Sequence, residues 1–116
     1  MKDQFTLHNL EVSVEGDPEA FVCNHEVGVA FRVVSENIVF DEAGEFSMYA
    51  LATILPLLPA KQRPTDENDW MTTDELIACP DPNCGAQIRI QRLGETTLSH
   101  DEVTRVPLKP KDGSNQ

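Results

Sequence analysis

Cys79-Pro80-Asp81-Pro82-Asn83-Cys84-Gly85-Ala86-Gln87-Ile88-Arg89-Ile90 is the stretch whose reading decides the fold. Its first seven residues hold two prolines, Asp, Asn and Gly, each of which favours a turn for its own steric or hydrogen-bonding reason. The residues after them alternate apolar Ala86, Ile88 and Ile90 with polar Gln87, Arg89 and Gln91. That is the period of a strand buried on one face and wet on the other. Such strands belong to antiparallel sheets, which tolerate one solvated face.

The same period recurs upstream. Phe5 and Leu7, then Leu10, Val12 and Val14, fall on alternate positions, and the phase slips at His8-Asn9. A β-bulge there accounts for the slip. Val27, Val29, Phe31 and Val33 predict a second strand, with Ser35-Glu36-Asn37 as a turn into a short return strand at Ile38 and Phe40.

One segment has a different period. Met48, Leu51, Leu55 and Leu58 recur at helical spacing, with Ser47 placed to cap the first turn. Pro56 lacks the backbone donor and should kink or end that helix. The order is strand, strand, strand, helix, strand. It predicts an α+β domain over residues 1–94, a small antiparallel sheet with one main helix packed on a face. Residues 95–116 read as an extended, disordered C-terminal tail.

The chain has 116 residues, enough for one modest core, and 9 basic against 20 acidic residues for a net charge of −11. Residues 1–60 hold only Lys2 and Arg32 against ten carboxylates. A nucleic-acid binder needs cations to displace phosphate counterions, and anionic membranes demand the same. Both partners are therefore disfavoured, and an acidic face suits a basic protein partner. The apolar run from Phe46 to Ala60 contains Pro56 and Pro59 and is too short to span a bilayer. Three cysteines, an odd number, with no charged and apolar leader pattern at Met1-Lys2-Asp3, point to a reducing, cytoplasmic setting.

The chemically loaded residues are sparse. Cys23, His25, Cys79 and Cys84 are the ligand types zinc prefers in a closed tetrahedral site. Cys-x-His is tighter than the common ligand spacing and Cys-x4-Cys sits at its wide end. Three inert cysteines beside a surface histidine is the competing reading. A thiol nucleophile would need an electropositive setting, but Glu19 and Glu26 flank Cys23 and His25. No Gly-rich phosphate loop, Gly-x-Ser-x-Gly or His-Glu-x-x-His occurs, so no catalytic residue is assigned. Trp70, alone in the polar stretch 61–75, reads as a plug pinning that loop to the core.

From about Phe5 to Leu93 the chain resembles a group of small, uncharacterised bacterial proteins marked by three blocks. The first is matched by Cys23, His25, Val27, Gly28 and Phe31. The second is a helix matched by Tyr49, Ala50 and Pro56, and the third is Cys79-Pro80-Asp81-Pro82 running into Ile90, Arg92 and Leu93. Members often carry a cysteine where this chain has Ser47, a longer gap between Cys and His, and Asn-Pro in place of Cys84-Gly85. The resemblance implies a small α+β domain and no established activity. It also implies that Cys23 and Cys79 are the shared thiols and that Cys84 is private to this chain.

The expectation is a non-catalytic binding or accessory domain, acting through a protein partner or a small ligand held between helix and sheet. Tyr49, Trp70 and Arg92 would contact that ligand, beside Cys23, His25 and Cys79. The alternative is a zinc domain built on Cys23, His25 and Cys79, with Cys84 or Asp81 completing the shell. A thiol-dependent enzyme is the third reading. Apart from zinc, no cofactor is implied.

Overall fold

The computed structural model describes residues 3–40 and 44–110. Five strands form one open antiparallel sheet: β1 (Gln4–Glu15), β2 (Gly28–Val34), β3 (Asn37–Val39), β4 (Leu76–Ala78) and β5 (Gln87–Ser99), in the order β3-β2-β1-β5-β4. The helices are short: α1 (Met48–Ile54), α2 (Leu57–Gln62), α3 (Trp70–Thr73) and α4 (His100–Val103). None of the helices among the described residues is long and apolar enough to cross a membrane. The α+β class follows from this arrangement.

Alternation decides which face is buried. Leu10, Val12 and Val14 of β1 and Ile88 and Ile90 of β5 turn to one face, and Phe31 and Val33 of β2 join them. Ala50 and Ile54 of α1 and Leu58 of α2 close over that face. The opposite face carries Glu11, Ser13, Arg89 and Gln91 in register across β1 and β5.

Several local signals act as the sequence predicts. The Ser47 side chain accepts the Ala50 N–H at 3.3 Å, capping α1. Pro56 separates α1 from α2, so the expected single helix is two short ones. Pro59 is tolerated because it lies in the first turn of α2, where its missing donor has no partner to lose. The β1–β5 ladder slips between His8 and Leu10, leaving Leu93 and Gly94 opposite Asn9. The Asn9 Oδ1 freed there accepts from the Ser35 N–H at 2.9 Å and the Thr96 hydroxyl at 3.0 Å, tying the β2–β3 turn to the ribbon.

Two expectations change. The alternation Val27, Val29, Phe31, Val33 is broken by a second bulge: Val12 pairs with Phe31, but Ser13 pairs with Val29, so Ala30 is extra. Ala30 and Phe31 are both buried as a result, while Val27 and Val29 turn outward. The strand boundary expected at Gly94 also moves. β5 continues to Ser99 because Gln4–His8 pairs with Glu95–Ser99, and α4 follows at once. Residues 111–116 of the expected tail lie outside the described residues.

Cations fasten the layers. Lys61, only 3% exposed, donates its ammonium to the carbonyls of Met71 (2.6 Å) and Asp74, immediately before β4. Burial, with Arg92 nearby, lowers the Lys61 pKa. On the polar face Arg89 binds Glu15 and, at 2.6 Å, Glu75, linking β1, β5 and the start of β4. The hydrogen bond from Arg89 holds the Glu15 carboxyl below its usual pKa. A depressed carboxylate stabilises the fold above its unfolded pKa of about 4.3 and loses that contribution as pH falls through the folded value. Arg89→Met is therefore expected to lower Tm at pH 7. The gap to wild type should narrow as pH drops below about 4. Thermal unfolding from pH 7 to pH 3 measures this, and a gap independent of pH would remove the ion pair as its cause.

Candidate metal centre

The site lies at one end of the sheet, where β1 stops and β5 starts. After β1 the chain turns at Gly16 and makes a 3-10 turn at Pro18–Ala20, capped by the Asp17 carboxylate on the Glu19 N–H at 3.0 Å. It then runs through Phe21 to His25 across the mouth of the β4–β5 connection. The N–H of His25 bonds the carbonyl of Cys23 at 2.9 Å. This three-residue turn bends Cys-Asn-His back on itself, so a Cys-x-His spacing can aim both side chains at one point.

The second arm is the turn between β4 and β5. At its base the Cys79 N–H donates to Ala86 O at 3.2 Å. At its tip the Asp81 carboxylate accepts from the Asn83 N–H at 2.9 Å, and Asp81 O accepts from the Cys84 N–H at 3.0 Å. The chain doubles back over Pro82, which returns Cys84 to the side of Cys79. A four-residue gap is thereby made compact.

Gly85 joins the arms. Its N–H donates to Ala20 O at 2.9 Å, and a Cβ at this position would lie 2.7 Å from the Ala20 Cβ. Only glycine allows the two backbones so close. The Val22 N–H then donates to Cys84 Sγ at 3.3 Å, a hydrogen bond suited to a thiolate or a metal-bound sulfur.

The outcome is one cluster. The donor atoms of Cys23, His25, Cys79 and Cys84 all lie within 4.8 Å of one another. Cys23 Sγ is 3.5 Å from Cys79 Sγ, and Cys79 Sγ is 3.5 Å from His25 Nε2. A tetrahedral zinc ion with bonds of about 2.3 Å to sulfur and about 2.0 Å to nitrogen requires S–S edges of about 3.8 Å and S–N edges of about 3.5 Å. The two contacts of 3.5 Å are close to those edges, and the set is a candidate metal-binding cluster. Cys79 is buried; the other three are partly buried. Val14, Ala86, Phe21 and Phe46 pack around the sulfurs. The His25 ring stands edge-on to Phe21 with centroids 6.1 Å apart and 6.0 Å from Phe46.

Electrostatics act differently on the four donors. Burial lowers the His25 pKa, which keeps the imidazole neutral with a lone pair to offer. Cys84 is lowered to about 7, chiefly by the backbone hydrogen bond from Cys23, with help from those of Ala86 and Val22. Cys23 is pushed up to about 12 by its hydrogen bond with Cys79 and by burial. Without a metal, one sulfur of the crowded group ionises easily and a neighbour keeps its proton.

The other expected site residues lie elsewhere. Tyr49 is 72% exposed on the outer side of α1, because Ala50 and Ile54 take the buried stripe. Trp70 is 64% exposed and opens α3, so it is no plug; the buried Lys61 ammonium anchors that segment instead. Arg92 satisfies the carbonyls of Lys61 (2.7 Å) and Arg63 (2.9 Å) at the end of α2, and it also bonds the Thr65 hydroxyl. None of the three lines the cleft of about 220 Å³ beside His25, which is walled by Asn24, Glu26, Val29, Glu45 and Phe46 among others. Asp81 Oδ2 lies 3.9 Å from Cys23 Sγ, at the margin of the cluster. Of the two residues named to complete the shell, Cys84 rather than Asp81 joins the set. Its signal in the sequence was the pair of prolines that shortens the turn.

Comparison with protein-family models, with curated proteins and with solved structures finds no match to this chain.

Gly85→Ala is expected to cost about 1–3 kcal/mol, because the new methyl must push the two arms apart. Gly94→Ala, where an added Cβ meets nothing within 4 Å, serves as the control and should be near neutral. Urea unfolding of the pair checks this; equal stabilities would mean that the arms do not meet at Ala20 and Gly85.

Proposed function

We propose that this protein is a zinc-stapled, non-catalytic accessory domain. Cys23, His25, Cys79 and Cys84 hold one Zn²⁺, and the ion fastens the Phe21–His25 arm to the β4–β5 turn. The observation that carries the reading is the meeting of three sulfurs and one imidazole nitrogen, from two arms more than fifty residues apart, all within 4.8 Å of one another and with two contacts of 3.5 Å. Three thiolates and one imidazole select a soft or borderline ion over magnesium or calcium.

Four protein donors fill the tetrahedron and leave no open position for water or substrate, which is the mark of a structural rather than a catalytic ion. The donors also sit where the fold is thin. Val14, Cys79 and Ala86 form a small cluster beside the main core, and three buried residues of that size bury little apolar surface. Because the site exists only in the folded chain, the free energy of binding adds to folding. The ion shapes the end of the sheet, and recognition of a protein partner or a small ligand falls to the acidic surface and the cleft beside His25.

Untagged protein is expected to contain close to one zinc per chain by elemental analysis. Native thiol titration should find three slow sulfurs that become reactive when a chelator is added. Chelation should lower Tm by more than about 10 °C, and Cys84→Ser should weaken zinc retention at least about tenfold. Metal-free protein whose three thiols react alike with and without chelator would overturn the reading.

A further inference from the structure

Cys23 and Cys79 have a second relationship, independent of any ion. Their sulfurs are 3.5 Å apart, on arms already locked together by the Gly85–Ala20 hydrogen bond. A disulfide needs about 2.05 Å, so the two sulfurs have only about 1.5 Å left to close. The Cys84 sulfur accepts the Val22 N–H at 3.3 Å and lies within 4.8 Å of both. Cys23 and Cys79 are in contact with each other, while Cys84 carries a backbone hydrogen bond. Cys23 is half-buried on a loop outside regular structure, while Cys79 is buried at the end of β4.

The geometry points to a reversible disulfide between Cys23 and Cys79, formed by a hydroperoxide, that replaces the metal as the fastener between the two arms. The part of this inference that concerns metal release rests on the zinc reading above; the disulfide itself does not. The chemistry balances as follows. Cys23, the more exposed sulfur of the pair, attacks as its thiolate the terminal oxygen of the peroxide. The O–O bond breaks, an S–O bond forms, and the alcohol or water leaves with a proton from solvent. Cys79 thiolate then attacks Cys23 sulfur, the S–S bond forms, and hydroxide leaves and is protonated to water. Two sulfurs lose one electron each, and the peroxide takes both. The ion loses two of its four donors, and His25 and Cys84 together are too few to retain it. A thiol reductant reverses the step and regenerates the site.

Either fastener closes the same gap, so the sheet end stays shaped in both states. What changes is the chemistry on offer. The oxidised site loses two thiolates and a divalent cation, whose charges cancel, and Cys84 becomes a free sulfur within 4.8 Å of His25.

The test uses zinc-loaded full-length protein exposed to hydrogen peroxide with a colorimetric zinc indicator, followed by alkylation of free thiols and peptide mapping by mass spectrometry. The expected result is release of one zinc per chain, a Cys23–Cys79 bridge, Cys84 recovered alkylated, and full reloading after dithiothreitol and zinc. Cys84→Ser, stripped of metal, should still lose both remaining thiols to the same bridge, whereas Cys79→Ser should form none. A bridge to Cys84, a bridge between chains, or sulfinic acid as the main product would overturn the proposal. Zinc retained with all three thiols intact would also overturn it and leave the zinc reading standing. A bridge formed in protein that never held zinc would reject the metal and keep the disulfide.

Discussion

The pairing of β1 with β5 is the constraint on which the rest of the molecule depends. These are the two longest elements, and they run antiparallel from Gln4–Ser99 at one end to Glu15–Gln87 at the other. β2 and β4 each pair with one of them, and β3 pairs with β2. β2 and β3 extend the sheet on the β1 side and β4 extends it on the β5 side. Because the ladder ends at Glu15 and Gln87, the segment leaving β1 and the turn entering β5 must emerge side by side. The cysteines and the histidine lie on those two segments. Their meeting is thus a consequence of strand register, tightened by the glycine contact at Ala20 and Gly85.

The few cations are spent on architecture. Lys61 and Arg92 satisfy carbonyls around the end of α2, Arg89 joins Glu15 and Glu75, and Arg32 lies 3.6 Å from Glu11. Buried backbone acceptors need donors as surely as buried charges need partners. Lys61 meets that need with an ammonium group that loses its hydration, which is why its pKa falls. With four of nine basic groups fixed in this way, the remaining surface is more acidic than composition alone suggests.

The sequence by itself determined the α+β class, the polar and apolar faces of β5, the Ser47 cap, the break at Pro56 and the bulge at Asn9. Each of these depends on residues within a few positions of one another, so a local period or a missing N–H is enough to reveal it. It also singled out Cys23, His25, Cys79 and Cys84, whose donor atoms the fold brings within 4.8 Å of one another. The tertiary structure alone decided the rest. Ala30 becomes an extra residue only because Val12 and Ser13 across the ladder choose Phe31 and Val29, and β5 reaches Ser99 only because Gln4–His8 lies beside it. Tyr49 and Trp70 face outward because other residues of their helices hold the inner positions or the anchor. Cys84 joins Cys23, His25 and Cys79 because the Pro82 turn and the end of the β1–β5 ladder fold two distant arms to one point. Spacing along the chain could not show that, since distance in sequence measures the loop to be closed and not the place where it closes.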